Sequence, residues 1–298
     1  MGLRGVTTME NVKQINTDAA RKGLHIASRV LIYLVLILGA FVLMFPYIWM
    51  LLTSFKDDYE AMSLTLVLFP KHWIFSNYKE IWTIVPLLRG VGNTFIVEVS
   101  VNVVGTFVSS MAAFSIAKLK LRHKNFWLLF LMSGMMVPYA ALMMPQFRAF
   151  MALNMFDTLW PLILPGLFGN ISMMFFLIQY MRGISNAFFE AAKIDGAGYM
   201  RMFVSVMLPM VKTALAAQII FWFIGIWNDY FAPAIYLKSY ESMTLQPMMA
   251  RINSDNSGGT NLPLIMAGAV LSSIPMFVIY ITCQKYFIES LAISGVKG

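Results

Sequence analysis

Few side chains in this sequence could carry chemistry, and most of those stand in uncharged surroundings. Glu98 is the single ionisable group of the run 91–117 and lies about eight residues inside it. A carboxyl that deep in apolar sequence faces a pore, pairs with a basic residue of another chain, or snorkels to an interface. Asn102, Asn170, Gln179, Gln218 and Asn228 interrupt the same kind of sequence. Their amides suit sugar hydroxyls, and they suit hydrogen bonds between helices equally well. His25, His72 and His123 fall in three separate segments, so no His/Glu/Asp constellation for catalysis appears and no enzyme activity is expected. Cys283 is the one cysteine and lies in an apolar run, where it reads as a packing residue. The Met135–Met136, Met143–Met144, Met173–Met174 and Met248–Met249 pairs could offer soft thioethers to copper(I). Neighbouring residues on a helix point about 100° apart, which favours gap-filling over coordination, and no metal site is expected.

One polar stretch carries a denser pattern, Ser185-Asn186-Ala187-Phe188-Phe189-Glu190-Ala191-Ala192-Lys193-Ile194-Asp195-Gly196-Ala197-Gly198. Ser185 or Asn186 can cap a helix start, the alanines favour helix, and Gly196 and Gly198 let the chain turn out of it. The pattern predicts a short helix over about 186–197. Such a helix is marginal alone in water and needs a surface. Phe188, Phe189 and Ile194 offer an apolar side, while Ala191 and Ala192 permit close approach by another protein. Lying on a bilayer surface is the alternative.

The elements that position these groups are written in the charge pattern. Of 298 residues 59% are hydrophobic and 12% charged, about half the charged fraction of a soluble domain, so lipid is the expected solvent. Uncharged or nearly uncharged runs at about 30–52, 91–117, 125–147, 158–181, 204–232 and 261–284 are each long enough to cross a hydrocarbon core as a helix. Pro138 and Pro145 are expected to kink the third, Pro161 and Pro165 stand near the start of the fourth, and Pro275 lies inside the sixth. Six spans put both termini on one side. With that side inside, 15 of the 22 Lys and Arg fall in inner segments, which supports an N-in, C-in orientation. Trp49, Trp73, Trp82 and Trp160 then lie near outer boundaries. The net charge of +8 is spent in these short clusters, and a nucleic-acid partner is not expected. The first 29 residues are mostly polar and no cleavage site follows the first run, so that run is read as an anchor. Two outer loops are long, 53–90 and 233–260. The second contains Asn253-Ser254-Asp255-Asn256-Ser257-Gly258-Gly259, polar and turn-forming.

Glu190-Ala191-Ala192, then Asp195-Gly196-Ala197, then Leu208-Pro209 resembles the cytoplasmic signature of permease subunits of bacterial ABC importers. Asp-Gly-Ala at that place, and Trp227-Asn228-Asp229-Tyr230 further on, look like the carbohydrate branch, the maltose-type permeases. Ser185 departs from the pattern, since a proline is common there. The resemblance implies an all-α integral membrane protein with the type I importer permease fold. Its parts would be a cytoplasmic segment 1–29, a six-helix domain 30–290 and a cytoplasmic tail 291–298. It implies that Glu190, Ala191, Ala192, Asp195, Gly196 and Ala197 form a coupling helix docking on a separate ATPase, Glu190 pairing with a basic residue and Asp195 holding the turn. It also implies that Asn253, Asp255, Gly258 and Gly259 belong to a loop reaching a docked extracellular sugar-binding protein, and that the tail contacts the ATPases. The partners implied are a second, non-identical permease subunit, two ATPase subunits, the binding protein and the bilayer.

No Gly-x-x-x-x-Gly-Lys-[Ser/Thr] phosphate loop occurs in the chain, so ATP and Mg would be bound by the ATPase partners and this chain carries no cofactor. Glu98, Asn102, Asn170, Gln218 and Asn228 are the candidate substrate pathway. Without the signature at 185–209, a stand-alone secondary transporter or channel is the competing reading, since proline-interrupted spans suit it. A permease for a non-sugar solute is the nearer alternative.

Overall fold

The computed structural model describes residues 4–65, 67–255 and 261–295, with side chains described over 28–65, 67–252 and 261–285. These residues are helical throughout, with no strand among them. Four helical stretches are long and apolar enough to cross a membrane: Ser28–Thr53, Leu87–Lys118, Trp160–Arg182 and Leu262–Lys285. Two sharply bent pairs bring the number to six if each pair is one span.

Helix α1 (Arg4–Thr53) exposes Val30 through Leu38 and Phe41 through Phe45, an apolar surface on all sides that water does not stabilise. It meets the rest of the chain near its end, where the Tyr47 ring sits edge-on to Phe277 at 4.9 Å. Two short helices follow, α2 (Asp58–Ala61) and α3 (Asn77–Ile84), and then α4 (Leu87–Lys118), the axis of the fold. Buried residues recur along one side of α4 at three- and four-residue steps, among them Thr94, Val97, Glu98, Val101, Asn102, Gly105 and Ser109. A Cβ on Gly105 would lie 2.4 Å from the Gly166 carbonyl oxygen and 2.5 Å from the Trp222 ring. Only glycine lets three helices meet there, as small residues do between helices in lipid.

The third span is not one kinked helix over 125–147. Helix α5 (Lys124–Met135) and α6 (Tyr139–Ala152) meet at 89°. Pro138 has no N–H for the ladder and disfavours helical backbone at Val137, so it ends one helix and starts the next. Pro145 lies inside α6 without a break. The fourth span runs as α7 (Trp160–Leu167) and α8 (Ile171–Arg182), separated at Gly169, whose φ of +96° suits glycine. The fifth, expected as 204–232, is bent by 81° at Val211, between Tyr199–Met210 and α12 (Lys212–Trp227). The arm before the bend comprises α10 (Tyr199–Arg201), a π-wound turn Met202–Met207 and α11 (Leu208–Met210). Pro209 cannot donate to the carbonyl four residues back, and the widened turn just before it is where that misfit is accommodated. Helix α12 ends at Trp227, so Asn228 and Asp229 lie beyond it.

The stretch 233–260 is not a free loop. It holds the end of α13 (Phe231–Tyr236) and all of α14 (Leu245–Asp255), which buries Leu245, Met248 and Ile252 with Ile81, Trp227 and Leu264. Asn253 and Asp255 are helical rather than turn-forming, while Gly258 and Gly259 lie outside the described residues. The last helix, α15 (Leu262–Gly295), carries Pro275 without interruption. A second core gathers around the opposite end of α4, built from Phe114, Met173, Leu177, Met181, Phe203 and Met207. Among the described residues the methionines of these cores fill space, and no group of three His, Cys, Asp or Glu could hold a metal.

Candidate functional site

Helix α9 (Ala187–Ile194) sits at the C-terminal end of α4. Asn186 precedes it without capping it by its side chain, and the Ser185 hydroxyl accepts from the Ala187 N–H at 3.3 Å. The Asn186 amide oxygen instead accepts from Lys118 Nζ at 2.9 Å, and Lys118 also donates to the Ile184 carbonyl at 2.5 Å. The last lysine of α4 thus clamps the entry to α9. At its exit the Ala197 N–H reaches the Ala192 carbonyl at 2.9 Å and the Gly196 N–H reaches Lys193 at 3.1 Å. With Gly196 at φ +77° this is a Schellman closure, which a residue with a Cβ would strain.

The helix has two unlike faces. Phe189, Ala192 and Ala197 pack against the core that contains Phe114 and Phe203. The rings form a chain, Phe189 to Phe114 at 5.9 Å and Phe114 to Phe203 at 5.5 Å, from α9 through α4 into the π-wound turn. Phe188, Ala191, Ile194 and Asp195 are exposed, Ile194 to 86%, and Glu190 is exposed at a cavity it shares with Phe114, Lys118, Lys120 and Lys193. Among the described residues no hydrogen bond or ion pair holds the Glu190 carboxylate. The open side of this eight-residue helix thus carries an exposed isoleucine beside a carboxylate without a partner among the described residues. Phe189→Ala should loosen the docking, since burying a phenylalanine contributes roughly 1.5–3 kcal/mol. We expect amide hydrogen exchange over 187–197 to quicken by about tenfold or more, with exchange in α8 unchanged.

The residues of the candidate pathway do not share one site. Glu98 is 3% exposed, so it does not snorkel; it accepts a hydrogen bond from the Asn102 amide one turn on. Glu98 Oε2, Asn102 Oδ1 and Thr106 Oγ1 are buried without partners, successive members of one polar ridge on α4. Asn170 serves the backbone, its side chain accepting from the Met173 N–H at 3.0 Å at the start of α8. Gln218 is half-buried on α12, and Asn228 is exposed and donates to the Ile224 carbonyl. None of these lines the cavity walled by Phe231, Ala232 and Pro233 of α13.

That cavity, of about 350 Å³, lies toward the α14 end, roughly 36 Å along α4 from Lys118. Thr94, Tyr139, Gln146, Asp229 and Thr244 supply its polar lining, and Pro161, Ile226 and Phe231 lie among its apolar walls. Of the polar lining, the sequence singles out Asp229 alone, within Trp227 to Tyr230. Trp227 is buried and structural, donating to the Ser272 carbonyl at 3.0 Å and stacking on Phe223. Asp229 lines the cavity and fixes α13, its Oδ1 accepting from the Phe231 N–H at 3.0 Å.

The far end of α13 is pinned by Asp157, whose Oδ1 accepts from the Lys238 and Ser239 N–H groups at 2.7 and 2.9 Å and from the Ser242 hydroxyl. Burial raises that carboxyl's pKa, and the hydrogen bonds from Ser242, Ser239 and Lys238 outweigh it, leaving about 2. An unstructured Asp titrates at about 3.9, so the anchor contributes fully above that value and is lost as pH falls toward 2. Asp157→Asn should therefore flatten the fall in thermal midpoint between about pH 5 and pH 2 relative to the parent chain. Parallel curves for the two proteins would count against this anchor.

Comparison with known proteins follows the same geometry. The family described as binding-protein-dependent transport system inner membrane component matches residues 105–292, which include α9 and its clamp. The arabinooligosaccharides transport system permease protein AraQ of Halalkalibacterium halodurans is 30% identical over 262 residues, 87% of this chain and 93% of that protein. The diacetylchitobiose uptake system permease protein NgcG of Streptomyces coelicolor is 30% identical over 258 residues, 86% of this chain and 85% of its own. The sn-glycerol-3-phosphate transport system permease protein UgpE of Yersinia enterocolitica is 29% identical over 284 residues, covering 91% and 97%. A chain of a bacterial ABC transporter involved in the import of alginate has the same fold, with TM-score 0.77 and 23% identity over 87% of this chain and 95% of its own.

Proposed function

We infer the function from one premise: the chain belongs to the family of binding-protein-dependent transport system inner membrane components. It is a multi-pass helical membrane protein of the sugar ABC permease kind. We propose that it forms half of a translocation pore beside a second, non-identical permease, with N- and C-termini inside and six spans, counting each bent pair as one. The solute is a sugar or oligosaccharide handed over by an extracellular binding protein. ATP and Mg are held by two separate ATPase subunits, and this chain does no hydrolysis.

The observation that carries this reading is the two-faced α9. Its Phe189 side is embedded, and its Phe188, Glu190 and Ile194 side is open. An ATPase cleft closing on the open side would move α9 as a body. Phe189, Phe114 and Phe203 would pass that displacement to the π-wound turn, immediately before the 81° bend at Val211. Lys118 would keep α4 and α9 moving together. Asn253, Asp255, Gly258 and Gly259 are proposed to reach the binding protein, and the tail 291–298 the ATPases.

Affinity purification of the full chain from its native membrane tests the reading. A second permease and an ATPase should come with it. A chain that purifies alone and still moves sugar would place it among stand-alone transporters.

A further inference from the structure

We propose that the cavity beneath α13 is a solute subsite built for uncharged, hydroxyl-rich molecules and closed to anions by Asp229. The proposal rests on the importer reading above and narrows its substrate class. Asp229 is half-buried at the cavity wall, and among the described residues no lysine or arginine lines the space. A phosphate or uronate entering here would meet the Asp229 carboxyl with no basic partner among the lining residues, and an uncompensated charge in a partly dehydrated space is strongly disfavoured.

A neutral sugar finds what it needs. Thr244 is 5% exposed, lines the cavity, and its hydroxyl has no hydrogen-bond partner. Gln146 uses its oxygen to accept from the Tyr236 hydroxyl at 3.3 Å, which leaves its amide hydrogens for the cavity. Asp229 spends Oδ1 on the backbone of α13, and Oδ2 is an acceptor for a hydroxyl proton. Pro161, Ile226 and Phe231 supply the apolar surface against which the C–H face of a sugar ring packs.

The test is charge-selective thiol chemistry on the assembled transporter in nanodiscs, with Cys283→Ser removing the native thiol and Gln146→Cys placing one in the cavity. Cationic and anionic methanethiosulfonates are added to both faces, and rates are normalised to a free thiol. We expect the cationic reagent to react about tenfold faster, and Asp229→Asn to bring the ratio toward one. A neutral arabinooligosaccharide should slow the reaction, and sn-glycerol 3-phosphate should not. Phe231→Cys, at a more exposed wall position, reads the same quantities if Gln146→Cys fails to assemble. The proposal is overturned by no cationic preference, by a ratio indifferent to Asp229→Asn, by equal or stronger protection from the glycerol phosphate, or by protection from neither solute. A complex that retains its ATPase and gives any of these results leaves the importer reading standing. A chain that brings no ATPase removes that reading, and the charge ratio can still be measured on it.

Discussion

Glu190→Lys is expected to lower ATP-driven sugar uptake by about 100-fold while the chain still inserts and still binds its sister permease. The side chain is exposed on the first turn of α9 and makes no hydrogen bond or ion pair among the described residues, so the substitution removes no such bond there. At the proposed interface the reversed charge would face the basic residue proposed to pair with the native carboxylate. Losing one partner of a desolvated pair typically costs 2–5 kcal/mol, and reversal adds repulsion. Glu190→Gln should fall between the two, since it keeps shape and one acceptor. Uptake and ATP hydrolysis measured together in proteoliposomes separate lost docking from lost sugar handling. Wild-type uptake by Glu190→Lys would show that the open face of α9 is not the coupling surface.

Gly105→Val should be the most damaging single change to the fold. Its Cβ would stand 2.4 Å from a backbone oxygen at Gly166 and 2.5 Å from Trp222, and neither is the free end of a flexible chain. Helices α4, α7 and α12 would have to separate, at a cost of about 3 kcal/mol or more. The adjoining contact reinforces this, because a Cβ on Gly166 would meet Val101 at 2.6 Å. Gly92→Ala, on the same helix with nothing within 4 Å, is the matched control and should change stability by less than about 1 kcal/mol. Thermal unfolding in detergent compares the pair. A Gly105→Val protein as stable as the control would mean that α4 and α7 do not pack this closely.

The spans were legible because uncharged runs have one economical fate in lipid, and that reading depends on composition rather than on contacts. The bends were only half legible. Pro138 and Pro145 look alike in sequence, yet one ends a helix and the other is absorbed within α6. What decides is whether neighbouring elements satisfy the freed backbone, which a local pattern does not contain. The stretch 233–260 was misjudged through its polar Asn253 to Gly259 segment. Leu245, Met248 and Ile252 recur at helical spacing just before it and could have announced α14.

Legibility was lowest where a site is assembled from distant segments. Thr94, Tyr139, Gln146, Asp229 and Thr244 come from several separate parts of the chain, and no spacing joins them. Glu98 and Asn102 stand out in sequence because they interrupt apolar residues, and the structure pairs them with each other along α4. In α9, Phe188 and Phe189 are neighbours of equal hydrophobicity. The sequence put both on one apolar side, while in the fold Phe189 turns to Phe114 and Phe188 is 52% exposed. That difference gives the helix one embedded side and one open side.

Cross-linking from α9 tests the central claim most directly. With Cys283→Ser and Ile194→Cys in the full chain, a thiol-to-amine cross-linker applied to native membranes should give one adduct, carrying the ATPase subunit, whose yield changes when ATP is supplied. An uptake-competent chain whose position 194 yields no ATPase adduct, with or without ATP, would contradict the account.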